Sequence, residues 1–119
     1  MTRTKKALGR AAAIGTALLA LTVTTGTAQA SWHPAQVGGH GANLRTCASS
    51  GCGYTGNLAA WTGVRIVCQT LGERVTRYYG TSALWDYVVW EGTGREGFAA
   101  DANINTGYSY WIPGIETCR

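Results

Sequence analysis

Charged residues are scarce in this sequence, and the basic ones are concentrated at its beginning. Only 13% of the 119 residues are charged, and no lysine follows Lys6. Four of the 10 basic residues precede residue 11, so the net charge of +4 belongs to that segment, and residues 31–119 carry six arginines against six carboxylates. Nucleic-acid binding depends on clustered Lys and Arg that displace the counterions of phosphates. We therefore expect no nucleic-acid partner.

Long apolar runs are also absent. The apolar stretch over residues 11–23 is shorter than the about 20 residues of a membrane-spanning helix, and Thr24 and Thr25 end it. It follows a basic end and precedes Ala28-Gln29-Ala30, a small-x-small cleavage site, which is the pattern of a secretory signal peptide. We predict a signal peptide over residues 1–30, a secreted or cell-wall-associated product, and no membrane association after cleavage.

The four cysteines lack the paired CxxC spacing of structural zinc sites. All of them follow the predicted signal peptide, and an even number of cysteines in a small secreted domain indicates disulfides. Four cysteines allow three connectivities. We favour Cys47–Cys52, a clip within one loop, and Cys68–Cys118, which ties a central strand to the C-terminus. The second bridge closes a loop of about 50 residues and is worth about 4 kcal/mol in the chain-entropy model.

A sustained helical period is missing as well, because no segment repeats apolar residues every 3.6 positions. Short alternating stretches instead predict an all-β fold. The strongest strand prediction is Leu84–Trp90, which is dense in aromatic and β-branched residues. Upstream of it, alternation places Val64, Ile66 and Cys68 on one face, toward the core. Asp101-Ala102-Asn103 is predicted to form a single helical turn.

The organisation of the rest follows from its composition. Residues 31–42 are rich in glycine and lack periodicity, so we predict a flexible lead-in. Residues 43–119 are predicted to form one domain, in which residues 71–82 are a polar excursion between strands. Five or six short strands in so short a chain predict a small barrel, since closure leaves no long sheet edge exposed.

Several motifs in this domain resemble those of bacterial SH3-like (SH3b) domains. Asn43-Leu44-Arg45-Thr46, before a Gly/Ser-rich loop, is similar to the opening motif of that family. Residues 56–66, Leu84–Val88 and residues 97–107 resemble its later motifs in the same order. The resemblance extends over about residues 42–107. It is closest to the small secreted, disulfide-containing members from Gram-positive bacteria, which carry a cysteine on the central strand and another at the C-terminus.

The resemblance implies an SH3-like barrel with a single helical turn and, for a secreted domain, a peptidoglycan stem or cross-bridge peptide as ligand. The sequence departs from the family pattern at three positions. Cys47 stands where the family usually has glycine, Asn103 where it commonly has tyrosine, and Tyr87 where it usually has a basic residue. The resemblance therefore bears more on the fold than on the ligand.

Residues suited to catalysis are few. Both histidines, His33 and His40, lie in the predicted lead-in, where a general base would not be held in place. Cysteines engaged in disulfides exclude the Cys-His hydrolases that often accompany SH3b domains, and Glu91 and Glu96 flank a turn as solvated side chains. We predict no enzymatic activity, no catalytic residue and no cofactor.

The predicted new N-terminus contains one candidate metal site. If cleavage follows Ala30, a free amine, two backbone amides and the His33 imidazole of Ser31-Trp32-His33 would form a square-planar site suited to Cu(II) or Ni(II). A histidine at this position by chance is the alternative that we favour, so we assign no metal.

Aromatic side chains point to binding. Residues 31–119 contain all 5 Trp, 6 Tyr and 1 Phe, which is many for one modest core. We expect Trp61, Trp90 and Phe98 in the core or at its edge. Alternation with Val88 and Trp90 inward turns Trp85 and Tyr87 outward as an exposed pair.

The predicted ligand-binding residues are these aromatic side chains: Tyr54, Tyr79, Trp85 and Tyr87. Aromatic grooves between two loops are how SH3-like surfaces hold extended peptides. We therefore predict a monomeric, secreted, non-catalytic module that recognises cell-wall peptide. The alternative is a secreted inhibitor of an extracellular hydrolase, whose partner is a protein.

Overall fold

The structure, a computed structural model, describes residues 31–119, which form one unit. The predicted signal peptide over residues 1–30 lies outside the described residues. Within residues 31–119, no helix has the length and apolar character needed to cross a bilayer.

The described residues form an antiparallel sheet of seven strands, which confirms the all-β prediction. The strands are β1 (His33–Val37), β2 (Ala42–Arg45), β3 (Tyr54–Leu58), β4 (Gly63–Arg77), β5 (Gly80–Trp90), β6 (Arg95–Ala100) and β7 (Ile104–Asn105). Their order across the sheet is β3-β2-β6-β5-β4-β1-β7. The two edge strands do not pair, so the sheet is not closed, and it has seven strands where the sequence predicts a barrel of five or six. A 3₁₀-helix at Asp101–Asn103 confirms the predicted single helical turn.

Strand β1 corrects the prediction of a flexible lead-in over residues 31–42. It pairs with β4 on one side, from His33 opposite Ile66, and with β7 on the other, where Val37 lies opposite Ile104. Val37 is completely buried. The segment contains Pro34 and exposes alternate residues, so its sequence alone carries little strand signal, and long-range pairing holds it in the sheet.

Residues 71–82, predicted to be a polar excursion between strands, belong instead to the β4–β5 hairpin. β4 has 15 residues and β5 has 11, and they stay paired to Arg77 opposite Gly80, across a turn made by Tyr78 and Tyr79. Most residues near this end are exposed on both faces, which removes the apolar alternation that normally identifies a strand. Val75 is the buried exception.

A β-bulge in β4 corrects the predicted orientation of Cys68. Val64 and Ile66 are buried as predicted, but the register with β5 shifts between Ile66 and Cys68. Because a bulge inserts one extra residue, the side chains directly after it change face, up to a second irregularity between Leu71 and Val75. Gln69 is therefore completely buried, and Cys68 is only half-buried on the other face.

Both disulfides have the predicted connectivity. Cys47 and Cys52 have Cα atoms 5.6 Å apart, and those of Cys68 and Cys118 are 5.0 Å apart. The second bridge fastens the C-terminal tail along β4, where the Gln69 amide donates to Glu116 O (3.0 Å) and the Cys118 amide donates to Gln69 O (2.8 Å).

Two hydrophobic clusters lie on opposite sides of the β4–β5 pair. The larger contains ten buried residues, namely Val37, Ala42, Leu44, Leu58, Val64, Ile66, Val88, Ala99, Ile104 and Ile112. The smaller is built from Val75, Trp85 and Ala100, with Ala48 and Phe98 packed against it. Both faces of β5 are therefore covered.

Candidate functional site

Trp85 is not the exposed ligand-binding residue that the sequence predicts. It does face away from Leu84 and Val88, as alternation requires, but it is only 2% exposed. Its indole Nε1 donates to the Glu73 carbonyl oxygen at 2.8 Å. The prediction assumed that this face is open to solvent, and the second hydrophobic cluster covers it.

The clipped loop between Cys47 and Cys52 supplies part of that cover. Ala48 packs against the Trp85 cluster, and its carbonyl accepts from the Glu73 amide at 3.0 Å. The Glu73 carboxylate accepts from the Ser50 amide at 2.7 Å and from the Ser50 hydroxyl at 2.6 Å. These hydrogen bonds, the side-chain one first, lower the pKa of Glu73. The loop is thus docked on β4.

Tyr87 and Tyr54 do not line the cavity to which Tyr79 belongs. Tyr87 is half-buried with its ring edge-on to Phe98, 5.0 Å between centroids, and desolvation followed by the Glu96 charge raises its pKa. Tyr54 is exposed on edge strand β3, with the Arg45 guanidinium 5.6 Å from its ring centroid. Of the four predicted ligand-binding residues, Tyr79 alone lines the cavity described next.

A cavity of about 290 Å³ lies between the β4–β5 turn and the segment that follows the 3₁₀-helix. We call it the tyrosine groove, and its lining is residues 79–82, Asp101, Ala102 and residues 104–109. Two exposed aromatic residues line it, Tyr79 at 45% and Tyr108 at 49% exposure. Backbone hydrogen bonds fix one wall, because the Tyr79 amide donates to Ala102 O at 2.7 Å.

Tyr79 also belongs to an exposed aromatic cluster beside the groove. The cluster is His40, Trp61, Tyr78 and Tyr79. The Tyr78 ring meets the other three edge-on, at centroid distances of 4.9 Å to His40, 5.9 Å to Trp61 and 4.9 Å to Tyr79. Trp61 is exposed here and is not in the core, which corrects that prediction.

Glycine supports this cluster from below. A Cβ at Gly38 would lie 2.8 Å from Tyr79 Cε2, and a Cβ at Gly39 would lie 2.7 Å from Tyr78 Cε1. Such approaches are closer than van der Waals contact, so the two tyrosine rings rest directly on a backbone that has no side chains. Gly38 and Gly39, which suggested flexibility in the sequence, therefore allow the rings of Tyr79 and Tyr78 to pack directly against the backbone.

A buried pair of carboxyl groups lies under the tyrosine groove. Asp86 is completely buried and Asp101 is 7% exposed. The two carboxyl groups act on each other's pKa. Asp86 Oδ2 and Asp101 Oδ1 are both enclosed and accept from no donor among the described residues, and a proton shared between the two groups would satisfy both oxygens.

Folding raises the pKa of both carboxyl groups. Burial, then the charge of Asp101, raises the pKa of Asp86 well above its ordinary value. Burial also raises the pKa of Asp101, while the interaction with Asp86 acts in the opposite direction. Asp101 is the member of the pair that lines the groove.

Gln69 connects this pair to the C-terminal tail. Its Nε2 donates to Asp86 Oδ1 at 2.8 Å, and its Oε1 accepts from the Ile112 amide at 2.8 Å. The bulge that turns Gln69 inward thus makes the hydrogen bond that holds Asp86 in place. Neither Gln69 nor the two aspartates are identified by sequence alone, since a buried pair of this kind has no spacing motif.

The two histidines are both held in place. His33 Nε2 donates to Thr106 O at 2.8 Å, and its ring lies edge-on to Tyr108 at 5.6 Å. No group of three or more His, Cys, Asp or Glu side chains among residues 31–119 is arranged to hold a metal ion. The absence of a metal at Ser31-Trp32-His33 stays a prediction, because a copper site there depends on where the chain is cleaved.

Comparison of the chain with family models, curated proteins and solved structures found no match. The tyrosine groove, the aromatic cluster and the buried aspartates therefore carry the functional argument.

Proposed function

We propose that the chain is a secreted, non-catalytic binding module with an SH3-like domain, and that it binds cell-wall peptide along the tyrosine groove and the aromatic cluster. The observation that carries this proposal is the grouping of exposed aromatic rings at one end of the sheet. Trp61, Tyr78, Tyr79 and Tyr108 are all exposed there. Aromatic walls around a narrow polar groove suit an extended peptide, such as a peptidoglycan stem or cross-bridge.

The rigidity of the groove favours binding. One wall is held by the Tyr79–Ala102 hydrogen bond, and the segment behind it by a bond from the Gly38 amide to Asn103 O at 2.8 Å. The Tyr108 amide donates to Thr106 Oγ1 at 3.1 Å. A surface that is ordered before binding loses less conformational entropy when the ligand arrives.

The polar groups of the groove argue against catalysis. Asp101 reaches the groove, but its partner Asp86 is enclosed and cannot present a second carboxyl group to a substrate. The four cysteines are paired in disulfides, so none is free to act as a nucleophile.

A pull-down on purified cell wall tests this proposal. The full chain, expressed in an oxidising compartment so that the disulfides form, should bind the wall. Tyr79→Ala and Tyr108→Ala should each weaken binding by about tenfold, which corresponds to the 1–3 kcal/mol of a buried aromatic contact. Tyr54→Ala is the matched control, because Tyr54 is also an exposed tyrosine, at 59%, but does not line the groove.

The outcomes separate the function from its site. Wall binding that survives both groove substitutions would place the contact elsewhere on the molecule. A folded protein with no affinity for cell wall would overturn the cell-wall proposal itself.

The docked Cys47–Cys52 loop favours one alternative, an inhibitor of an extracellular hydrolase. Protease inhibitors bind through loops that are ordered in advance, and this loop is fixed by a disulfide and by Glu73. Inhibition of a protease or glycosidase at one-to-one stoichiometry, weakened by Glu73→Ala and unaffected by Tyr108→Ala, would support this alternative over wall binding.

A further inference from the structure

We propose that the floor of the tyrosine groove binds a primary ammonium group, with Asp101 as its counter-ion. This inference rests on the proposed function and specifies its ligand as a peptide that carries a free amine.

The groove carries one formal charge, and nothing neutralises it. Asp101 is the only carboxylate among the described residues that line the groove, and no Lys or Arg lines it. Within residues 31–119, the ion pair formed by Arg65 and Glu91 does not involve this site. An ionised carboxylate that is 7% exposed and lacks a cationic partner is unfavourable, and a cation in the groove would offset that cost.

The hydrogen bonding of Asp101 selects among cations. Its Oδ1 is enclosed on the protein side, which leaves Oδ2 for a ligand. A guanidinium group pairs best with two carboxylate oxygens at once, so one available oxygen is a poor match for it. A metal ion would need several ligands, and the described residues offer no such group. An ammonium group is compact and requires only one charged acceptor.

The aromatic lining completes the site. Tyr79 and Tyr108 both line the same cavity as Asp101. Ring faces attract cations, by about 0.5–1 kcal/mol at exposed positions and more when the cation is desolvated. The alkyl chain that carries the amine would lie against the same rings. Asp86 does not touch the ligand; it is a positioning residue whose proton orients the Asp101 carboxylate.

Titration with pentylamine at neutral pH tests the site, with pentanol and pentylguanidine as matched probes. Binding is followed by NMR from the ring protons of Tyr79 and Tyr108. Pentylamine should produce saturable shifts on both rings, while pentanol should bind at least about tenfold more weakly, as expected for the loss of a charge-assisted hydrogen bond of about 1.5–3 kcal/mol. Pentylguanidine keeps the charge but meets one oxygen where it pairs best with two, so it should bind more weakly than pentylamine. Equal binding of pentanol and pentylamine would overturn the proposal without any substitution.

Three variants test whether the Asp101 carboxylate is the counter-ion of the ammonium group. Asp101→Asn should weaken pentylamine binding by about tenfold or more, because it removes the counter-ion. Asp86→Asn should keep most of the affinity, since its amide can still donate to Asp101. Glu91→Gln removes one carboxylate outside the groove and should change nothing. Loss of binding with Glu91→Gln, or full binding with Asp101→Asn, would contradict the assignment.

Failure of this inference and failure of the proposed function would give different combinations of wall binding and pentylamine binding. Wall binding that needs Tyr79 but is accompanied by no pentylamine binding would overturn the ammonium site and leave the function standing. Pentylamine binding that depends on Asp101, in a protein without affinity for cell wall, would support the site and overturn the cell-wall proposal.

Discussion

Asp86 makes the stability of this domain depend on pH in an unusual direction. Burial, followed by the Asp101 charge, raises its pKa well above the ordinary 3.8, and burial raises that of Asp101. A carboxyl group whose pKa is raised by folding stabilises the folded state fully below its unfolded pKa. That contribution is lost as the pH rises through the folded pKa.

We therefore expect the free energy of unfolding to fall as the pH rises from about 4 toward 7 because of this pair. Asp86→Asn removes the titrating proton but keeps a donor toward Asp101 and an acceptor for Gln69. It should flatten the pH dependence and stabilise the domain at neutral pH. Urea unfolding across this range measures both effects, with Glu91→Gln as the control. A variant with the same pH slope as the wild type would refute the shared proton.

Gly72 allows the closest approach between the clipped loop and β4. A Cβ at this position would lie 2.5 Å from Ala48 Cβ and still closer to the Ala48 carbonyl oxygen. Gly72→Ala should therefore displace the loop and destabilise the domain by about 1–3 kcal/mol, as overpacking does. Because the loop helps to cover Trp85, tryptophan fluorescence should also shift toward longer wavelengths.

Gly63→Ala is the matched control for this substitution, since a Cβ at Gly63 would meet nothing within 4 Å. Thermal unfolding of the two variants measures the difference. Equal stability of both would show that the loop is not packed against β4 as described.

At the scale of the elements, the two disulfides contribute differently to stability. Cys68–Cys118 closes a sequence separation of 50 residues and holds the tail against β4, whereas Cys47–Cys52 closes only 5. In the chain-entropy model the long bridge is worth about 4 kcal/mol and the short one about 2 kcal/mol. Replacing both cysteines of the long bridge by serine should therefore destabilise the domain more than the same change in the short bridge.

The long bridge should also influence the groove. Its loss would loosen the tail, so the Ile112 amide would no longer hold Gln69 against Asp86. Urea unfolding of the two double variants checks the order of stabilities. Pentylamine titration of the folded variants should then give weaker binding for the long-bridge variant alone; equal affinities would argue against the Gln69 connection.

Element by element, the sequence predicts what depends on local pattern. The central strand and both disulfides follow from composition and from the number and positions of the cysteines. The helical turn lies where the sequence predicts it, but its N-cap is Ala100 and no side chain caps it, so capping by Asp101 does not account for it. The errors arise where distant partners decide. Strand β1 exists because β4 and β7 flank it, and the bulge after Ile66 reverses the face of Cys68 and Gln69. No local sequence pattern predicts either the pairing of β1 or the bulge in β4.

The candidate site illustrates the same limit. Tyr79 is predictable as an exposed tyrosine in a polar segment. Trp85 has the right alternation, but a loop distant in sequence covers it. Asp101 becomes a site residue only because the 3₁₀-helix carries it against Asp86 and beneath the β4–β5 turn. Such a juxtaposition is a property of the tertiary fold.

For the whole molecule, removal of residues 1–30 changes the electrostatics completely. The chain has a net charge of +4, all of it from four basic residues before residue 11, and residues 31–119 are neutral. Long-range attraction to acidic polymers should therefore belong to the uncleaved chain alone. The proposed groove binding would depend instead on aromatic contact and on one largely buried carboxylate, which salt screens only weakly.

We expect wall binding by residues 31–119 to change by less than about threefold between 50 mM and 500 mM NaCl, because screening acts mainly on exposed charges. The uncleaved chain should gain additional retention at low salt only, and this gain should disappear when its basic residues are replaced by glutamine. Sedimentation with purified wall at several salt concentrations measures both. A steep salt dependence of the cleaved form would indicate an interface made of its arginines in place of the tyrosine groove.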